Sequence, residues 1–204
     1  MKMDATQAID WESRYRDGAT GWERPGPNPA MQAWLEAGDL SPCNILVPGA
    51  GRSVEPLVLA EAGFAVTVVD AAPSAVAVQR ARLERLHVRA RVEQVDLFDW
   101  HPDIRFDAVY DQTCLCALPR SIWPEYVTRL HKWLQPGGRL FILFMQTGSE
   151  GGPPFHCDMT EMRRLFPPAV WDWSEPLPPR VEHPSGRAEQ PAVLRARTGY
   201  PAGA

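Results

Sequence analysis

The chain has 204 residues, 45% of them hydrophobic and 23% charged, enough to bury a sizeable core and inconsistent with a fibrous or disordered protein. A formal charge of −4 and a pI near 5.7 argue against nucleic acid as the main partner, because phosphate binding needs a clustered basic face. No apolar run reaches the roughly 18 residues that span a bilayer, and Met1–Asp10 lacks the basic-then-apolar order of a signal peptide. With no membrane segment and no CxxC or Cys/His zinc spacing among Cys43, Cys114, Cys116 and Cys157, the expectation is a cytoplasmic protein with free thiols and no metal.

In chain order, Ile9–Arg16 has the spacing of a short amphipathic helix, and Gly18–Pro29 is a loop rich in Gly and Pro. Asn28 is placed to cap a helix over Pro29–Ala37, closed by Gly38. Strand Asn44–Val47 then leads to helix Ser53–Ala62, strand Ala65–Val69 to helix Pro73–Leu86, and strand Arg91–Gln94 to a turn at Leu97–Pro102. Strand Ala108–Asp111 precedes helix Ser121–Leu134, which Gln135–Gly138 stops, and strand Arg139–Met145 is apolar enough to be buried on both faces. A helix at Met159–Phe166 and extended runs at Val170–Leu177 and Ala192–Arg197 complete the pattern, the last two as an antiparallel pair. Strands alternating with helices predict a mostly parallel α/β sheet covered on both faces.

The most informative stretch is Ile45–Glu55 together with Asp70. An apolar strand enters a glycine turn, the turn opens a helix, and a second strand delivers one carboxylate, which is how α/β folds hold a nucleoside. Gly49 and Gly51 occupy the first two positions of the dinucleotide fingerprint, but Val54 stands where the third glycine lets a diphosphate and helix approach. Glu55 at the helix start is also a poor neighbour for a diphosphate. S-adenosylmethionine (SAM), which carries no phosphate, suits the turn better than a nicotinamide dinucleotide. Asp70 is open to two roles, accepting from both ribose hydroxyls or capping the helix near Pro73, and the two cannot use the same lone pairs.

Several local patterns give the chain a resemblance to a family. They are Trp11-Glu-Ser-Arg-Tyr15 with Trp22 and a nearby Asn-Pro, Val47-Pro-Gly-Ala-Gly51, Asp96-Leu-Phe, Phe106-Asp-Ala-Val-Tyr-Asp111, Cys116-Ala-Leu-Pro119 and Gly152-Pro-Pro-Phe155. In order and spacing the chain resembles the class I SAM-dependent methyltransferases, and among them the thiopurine methyltransferase family with its plant halide and thiol methyltransferases. The resemblance implies a doubly wound, mostly parallel seven-stranded Rossmann-like sheet, with S-adenosylhomocysteine (SAH) as product. It implies cofactor contacts at Trp11, Tyr15, Trp22, Gly49, Asp70, Asp96, Leu97 and Gln112, to which the reading of the residues themselves adds Gly51 and Asp111 as candidates. Relatives in the plant branch carry Trp in place of Tyr15 and Tyr in place of Gln112, and thiopurine-type bacterial members carry Arg at the latter position. The acceptor pocket of this fold is assembled from the N-terminal segment and late loops, here Gly148–His156 and Pro176–Gln190.

The residues support physical roles of their own. Trp11 and Tyr15 lie four apart on one helix face, and Trp22 can fold over them, giving rings that attract a sulfonium, or else core anchors for the first helix. Asp96 is either an acceptor for the adenine amine, flanked by Leu97 and Phe98, or a surface turn acid. Asp111 either binds the amino group of the methionine moiety or fixes its loop through backbone amides. Cys114 and Cys116 read as small buried hydrophobes rather than as a metalloid site with Cys157. Asp111 and His156 are the candidate bases, while His87 and His183 read as peripheral. Trp22, Phe144, Met145 and Phe155 are the expected substrate wall.

The expectation is therefore a single domain over 1–204, with 1–40 as an N-terminal helical lid and 41–204 as the core, acting on a small molecule as a monomer or weak dimer. It would move a methyl group to a small soft nucleophile, a thiol, thiopurine, halide or chalcogen anion, by in-line displacement that requires no general base. A catalytically silent SAM-binding regulatory protein and a small-molecule O- or N-methyltransferase are the competing readings.

Overall fold

Ile45, Leu46 and Val47 are buried on both faces of the first strand, as an uninterrupted apolar run in a parallel sheet requires. The computed structural model describes residues 9–86, 88 and 90–198. Their elements are α1 (Trp11–Arg16), α2 (Pro29–Glu36), β1 (Asn44–Pro48), α3 (Glu55–Glu61), β2 (Ala65–Asp70), α4 (Pro73–Glu84), β3 (Ala90–Gln94), β4 (Phe106–Gln112), α5 (Cys114–Ala117), α6 (Trp123–Trp133), β5 (Leu134–Gln146), α7 (Met159–Leu165), β6 (Trp171–Trp173), β7 (Val181–Glu182) and β8 (Ala188–Ala196). His87 and the first eight residues, on which the peripheral histidine and the signal-peptide reading fall, lie outside the described residues.

The strand order is β3-β2-β1-β4-β5-β8-β6, with β1 to β5 parallel and β8 antiparallel to both β5 and β6. The expected terminal antiparallel pair is therefore present. An eighth strand adds to the seven: β7 joins β8 through Val181↔Glu189 and Glu182↔Ala188. Two residues are too few to carry a period-2 pattern, so no sequence signal announces it.

Two other differences have local causes. Gln135–Gly138 ends α6, but the chain passes directly into β5, with a register shift opposite Phe106–Ala108 and Gly137 at φ +80°. Helix α5 has four residues and starts from Thr113 at φ 61°; its first amides are held by Asp111, not by a local cap motif.

One apolar layer packs Tyr126, Leu130 and Trp133 of α6 and Phe166 beyond α7 against the sheet, and the other packs Met31, Trp34 and Leu59 against its opposite face. Asn28 caps α2 as expected, its Oδ1 accepting from the Ala30 N–H at 2.9 Å. No helix among the described residues is long and apolar enough to cross a membrane.

Candidate active site

Between β1 and β4 the chain reverses direction across the sheet, and a cleft opens at the carboxyl ends of β1, β2 and β4. Its volume is about 440 Å³, and α1 with the loop that follows it forms one wall.

The glycine turn shapes the floor. Gly49 (φ +56°) and Gly51 (φ +55°) are left-handed, a conformation that costs other residues about 1–2 kcal/mol. A Cβ on Gly49 would stand 2.7 Å from Cys114 Sγ, and one on Gly51 would collide with the Tyr15 hydroxyl. The Gly51 N–H donates to Asp70 Oδ2 at 2.8 Å, and the Ala72 N–H donates to Oδ1 at 2.9 Å. Burial pushes the Asp70 carboxyl up, partly offset by those amide donors.

A carboxylate offers about four lone-pair sites, so Asp70, which lines the cleft, keeps acceptor capacity beyond its backbone donors. The first turn of α4 is held by another residue as well. Glu12 of α1 accepts from the Ser74 N–H at 2.9 Å and the Ser74 hydroxyl at 2.6 Å, which satisfies the first turn of α4 and ties the wall to the sheet.

Above the floor stand three aromatic rings. Trp22 meets Trp11 edge-on at 5.5 Å between centroids and Tyr15 at 5.7 Å. The Arg52 guanidinium lies 4.8 Å from the Tyr15 ring centroid, and its Nε reaches Glu23 Oε1 at 2.6 Å, clasping the loop to the glycine turn. At the β3 end, Asp96 Oδ1 accepts from the Phe98 N–H at 2.8 Å, and Asp96, Leu97 and Phe98 all line the cleft. Gln112 closes the β4 end with its carbonyl oxygen held by the Tyr110 hydroxyl at 2.7 Å.

Trp11, Tyr15, Trp22, Gly49, Gly51, Asp70, Asp96, Leu97, Gln112 and Met145 thus share one cleft. Four expected residues stand outside it. Asp111 is wholly buried beneath: its Oδ2 accepts from the Tyr126 hydroxyl at 2.8 Å and its Oδ1 from the Cys114 and Leu115 N–H groups at 3.2 and 3.3 Å. Burial pushes its carboxyl up to about 6. His156 Nδ1 accepts from the Thr147 and Gly148 N–H groups at 3.1 and 3.3 Å, so it organises its own loop. Phe144 is buried between Phe166 and Trp173, and Phe155 packs against the core behind the lining.

Other residues take their places. Arg24, Glu55, Cys114, Cys116, Pro153, Pro154, His183 and Arg187 line the cleft. Burial pushes the Cys114 and Cys116 thiols well above their usual range, so both are neutral. His183 is far from peripheral: it is 4% exposed and faces the cleft. Its signal was its place within Pro176–Gln190, a segment already assigned to the acceptor wall; no local pattern singled the histidine out.

A nucleoside-type glycine turn, a carboxylate at the end of β2 and another after β3, converging under an aromatic lid, define a Rossmann-like SAM-dependent methyltransferase. The chain belongs to the thiopurine S-methyltransferase family, whose model matches residues 6–189. It is 29% identical over 169 residues to the probable thiol methyltransferase 2 of Arabidopsis thaliana, covering 81% of this chain and 75% of that one. It is 28% identical over 172 residues to the thiopurine S-methyltransferase of Vibrio parahaemolyticus, covering 76% and 80%. Among solved structures it is similar to the 1,6-didemethyltoxoflavin-N1-methyltransferase of Burkholderia thailandensis with bound 1,6-didemethyltoxoflavin and SAH, with a TM-score of 0.72, 25% identity, and coverage of 92% and 86%. The protein is an enzyme that uses SAM to methylate a small nucleophile.

Proposed function

We propose that this cleft holds SAM and that the methyl acceptor is sulfur in a small thiol or thiopurine, with halide and chalcogen anions in the same soft class. When bound, SAM supplies an electrophilic methyl on a sulfonium. Asp70 would accept from the ribose hydroxyls, Asp96 from the adenine amine, and Leu97 and Phe98 would cover the ring. Trp11, Tyr15 and Trp22 would enclose the positive sulfur, at about 0.5–2 kcal/mol per ring contact.

The observation that carries the acceptor class is the position of the candidate bases. Asp111 is locked to Tyr126 beneath the cleft and His156 to its own loop, so neither reaches an acceptor. His183, which does line the cleft, has its pKa pushed down to about 4 by burial and nearby guanidinium groups, which makes it a weak base. An acceptor that arrives already anionic needs no base. It needs a dry wall and alignment behind the methyl, and the buried Met145, Cys114 and Cys116 give the lining that apolar character.

The relatives named for thiols and thiopurines support the same reading. The test is SAH release from purified protein and SAM across thiols, a thiopurine, iodide and selenite. Turnover should follow the thiolate fraction of the acceptor as pH rises. Turnover confined to amine or hydroxyl acceptors would instead favour the N-methyltransferase reading that the toxoflavin-type neighbour suggests. SAM binding without transfer to any acceptor would favour the silent regulatory protein. We further propose one domain, with 1–40 as lid and 41–204 as core, acting as a cytoplasmic monomer or weak dimer without nucleic-acid or membrane partners; the four unpaired cysteines suit a reducing compartment.

A further inference from the structure

Helix α4 turns Ala75, Val76, Gln79 and Leu83 to the interior, and on that stripe Gln79 stands where the helical period calls for a hydrophobe. The side chain is wholly buried. Its Nε2 donates to the Gly51 carbonyl and to the Ser53 carbonyl, both at 2.9 Å. Three residues on, and so on a neighbouring part of the helix surface, the half-buried Arg82 extends Nη1 to the Arg52 carbonyl at 2.6 Å and to the Ser53 carbonyl at 2.8 Å. Two side chains of α4 thus hold three successive carbonyls of the glycine turn that floors the cleft, while neither side chain lines the cleft itself.

Gln79 Oε1, by contrast, has no partner among the described residues. A buried acceptor left unpaired lowers stability, and a methionine of similar size would fill the position without it. What the carboxamide contributes instead is a pair of donors to the turn. The turn requires support from outside its own sequence, because α3, which it opens, has Val54 at its N-cap and no side-chain cap. Gly49 and Gly51 are left-handed, and only their surroundings keep so permissive a residue in one conformation. Gly51 is gripped from both sides, its N–H donating to Asp70 Oδ2 at 2.8 Å and its carbonyl accepting from Gln79.

We propose that Gln79 and Arg82 are positioning residues for the cofactor. They act through the turn, holding the carbonyls of Gly51, Arg52 and Ser53 toward α4 so that Gly49, Gly51 and Asp70 keep a fixed spacing on the floor of the cleft. The proposal rests on the cleft being the SAM site.

Calorimetric titration of the full chain with SAH tests it, with urea unfolding of the same samples. Gln79→Met removes two donors at nearly constant volume, and Arg82→Met removes the other two. Each variant should weaken SAH at least about fivefold at an unchanged stoichiometry, because two hydrogen bonds are withdrawn from the turn. A residue that only braces the fold would lower the urea midpoint and the stoichiometry while the Kd of the folded protein stays within fivefold of wild type; that result, or no change at all, removes the positioning role from the residue concerned. A double-mutant cycle reads the route. In a Gly51→Ala background, where the turn is already displaced, the fold-loss from Gln79→Met should be less than half its value in the wild-type background, and a larger loss overturns action through Gly51. Should Gln79→Met fail to fold, Arg82→Met decides by the same criterion. Absence of SAH binding by the wild type would instead refute the cleft as the SAM site, and this proposal with it.

Discussion

Asp111→Asn separates a structural acid from a catalytic one, and its effect can be worked out from the geometry. The side chain is buried, one oxygen capping α5 through the Cys114 and Leu115 amides and the other accepting from the Tyr126 hydroxyl. Asparagine is nearly isosteric. Its carbonyl can keep the two amide donors, and the Tyr126 hydroxyl can rotate to accept from the new NH₂. The folded carboxyl titrates near 6 against an ordinary 3.8, so between those values the native state keeps a proton that the unfolded chain has lost. Wild-type stability must then fall as pH rises through that window, by ~3 kcal/mol at 1.36 kcal/mol per pH unit.

Asparagine does not titrate, and the other buried carboxyls that are pushed up, Asp70, Glu55 and Glu189, act alike in both proteins. The stability of Asp111→Asn relative to wild type should therefore rise by about 2 kcal/mol between pH 4 and pH 7, read from urea unfolding at fixed pH. Parallel pH profiles for the two proteins would refute the burial argument. Methyl transfer should stay within about threefold of wild type; a collapse with SAM affinity unchanged would return Asp111 to the chemistry.

Three further outcomes are expected. Gly51→Ala should weaken SAM binding at least about tenfold, because the left-handed turn and the Tyr15 hydroxyl leave no room for a methyl, and adding Tyr15→Phe should recover part of the loss in a calorimetric titration. Trp22→Ala should weaken cationic SAM by about 2–30-fold and neutral SAH by less, since a ring face rewards the positive sulfur; equal losses would remove the cation–π role. His156→Ala should leave kcat/KM within about twofold, because its Nδ1 serves only the Thr147 and Gly148 amides, and a hundredfold fall would reinstate it as a base.

Much of the cleft was legible in the residues because it is built from local devices. A glycine turn, a strand-end acid and a pair of aromatics four apart on one helix each have a one-dimensional signature, and Gly49, Gly51, Asp70, Trp11 and Tyr15 converge as their spacing implies. The parallel core was equally legible, since strands buried on both faces must be apolar throughout. What needed the tertiary structure was every role that depends on a partner distant in sequence. Glu12 caps a helix 62 residues away, and Arg24 reaches Glu189 across 165. Asp111 and Gln112 are adjacent in sequence, yet successive strand residues point to opposite faces, so one sinks beneath Tyr126 while the other borders the cleft. His183 carries no local mark at all; only the pairing of β7 with β8 brings its ring beside Arg24. Periodicity encodes which face of its own element a residue occupies, whereas the identity of what packs on that face is settled by chain segments that meet only on folding.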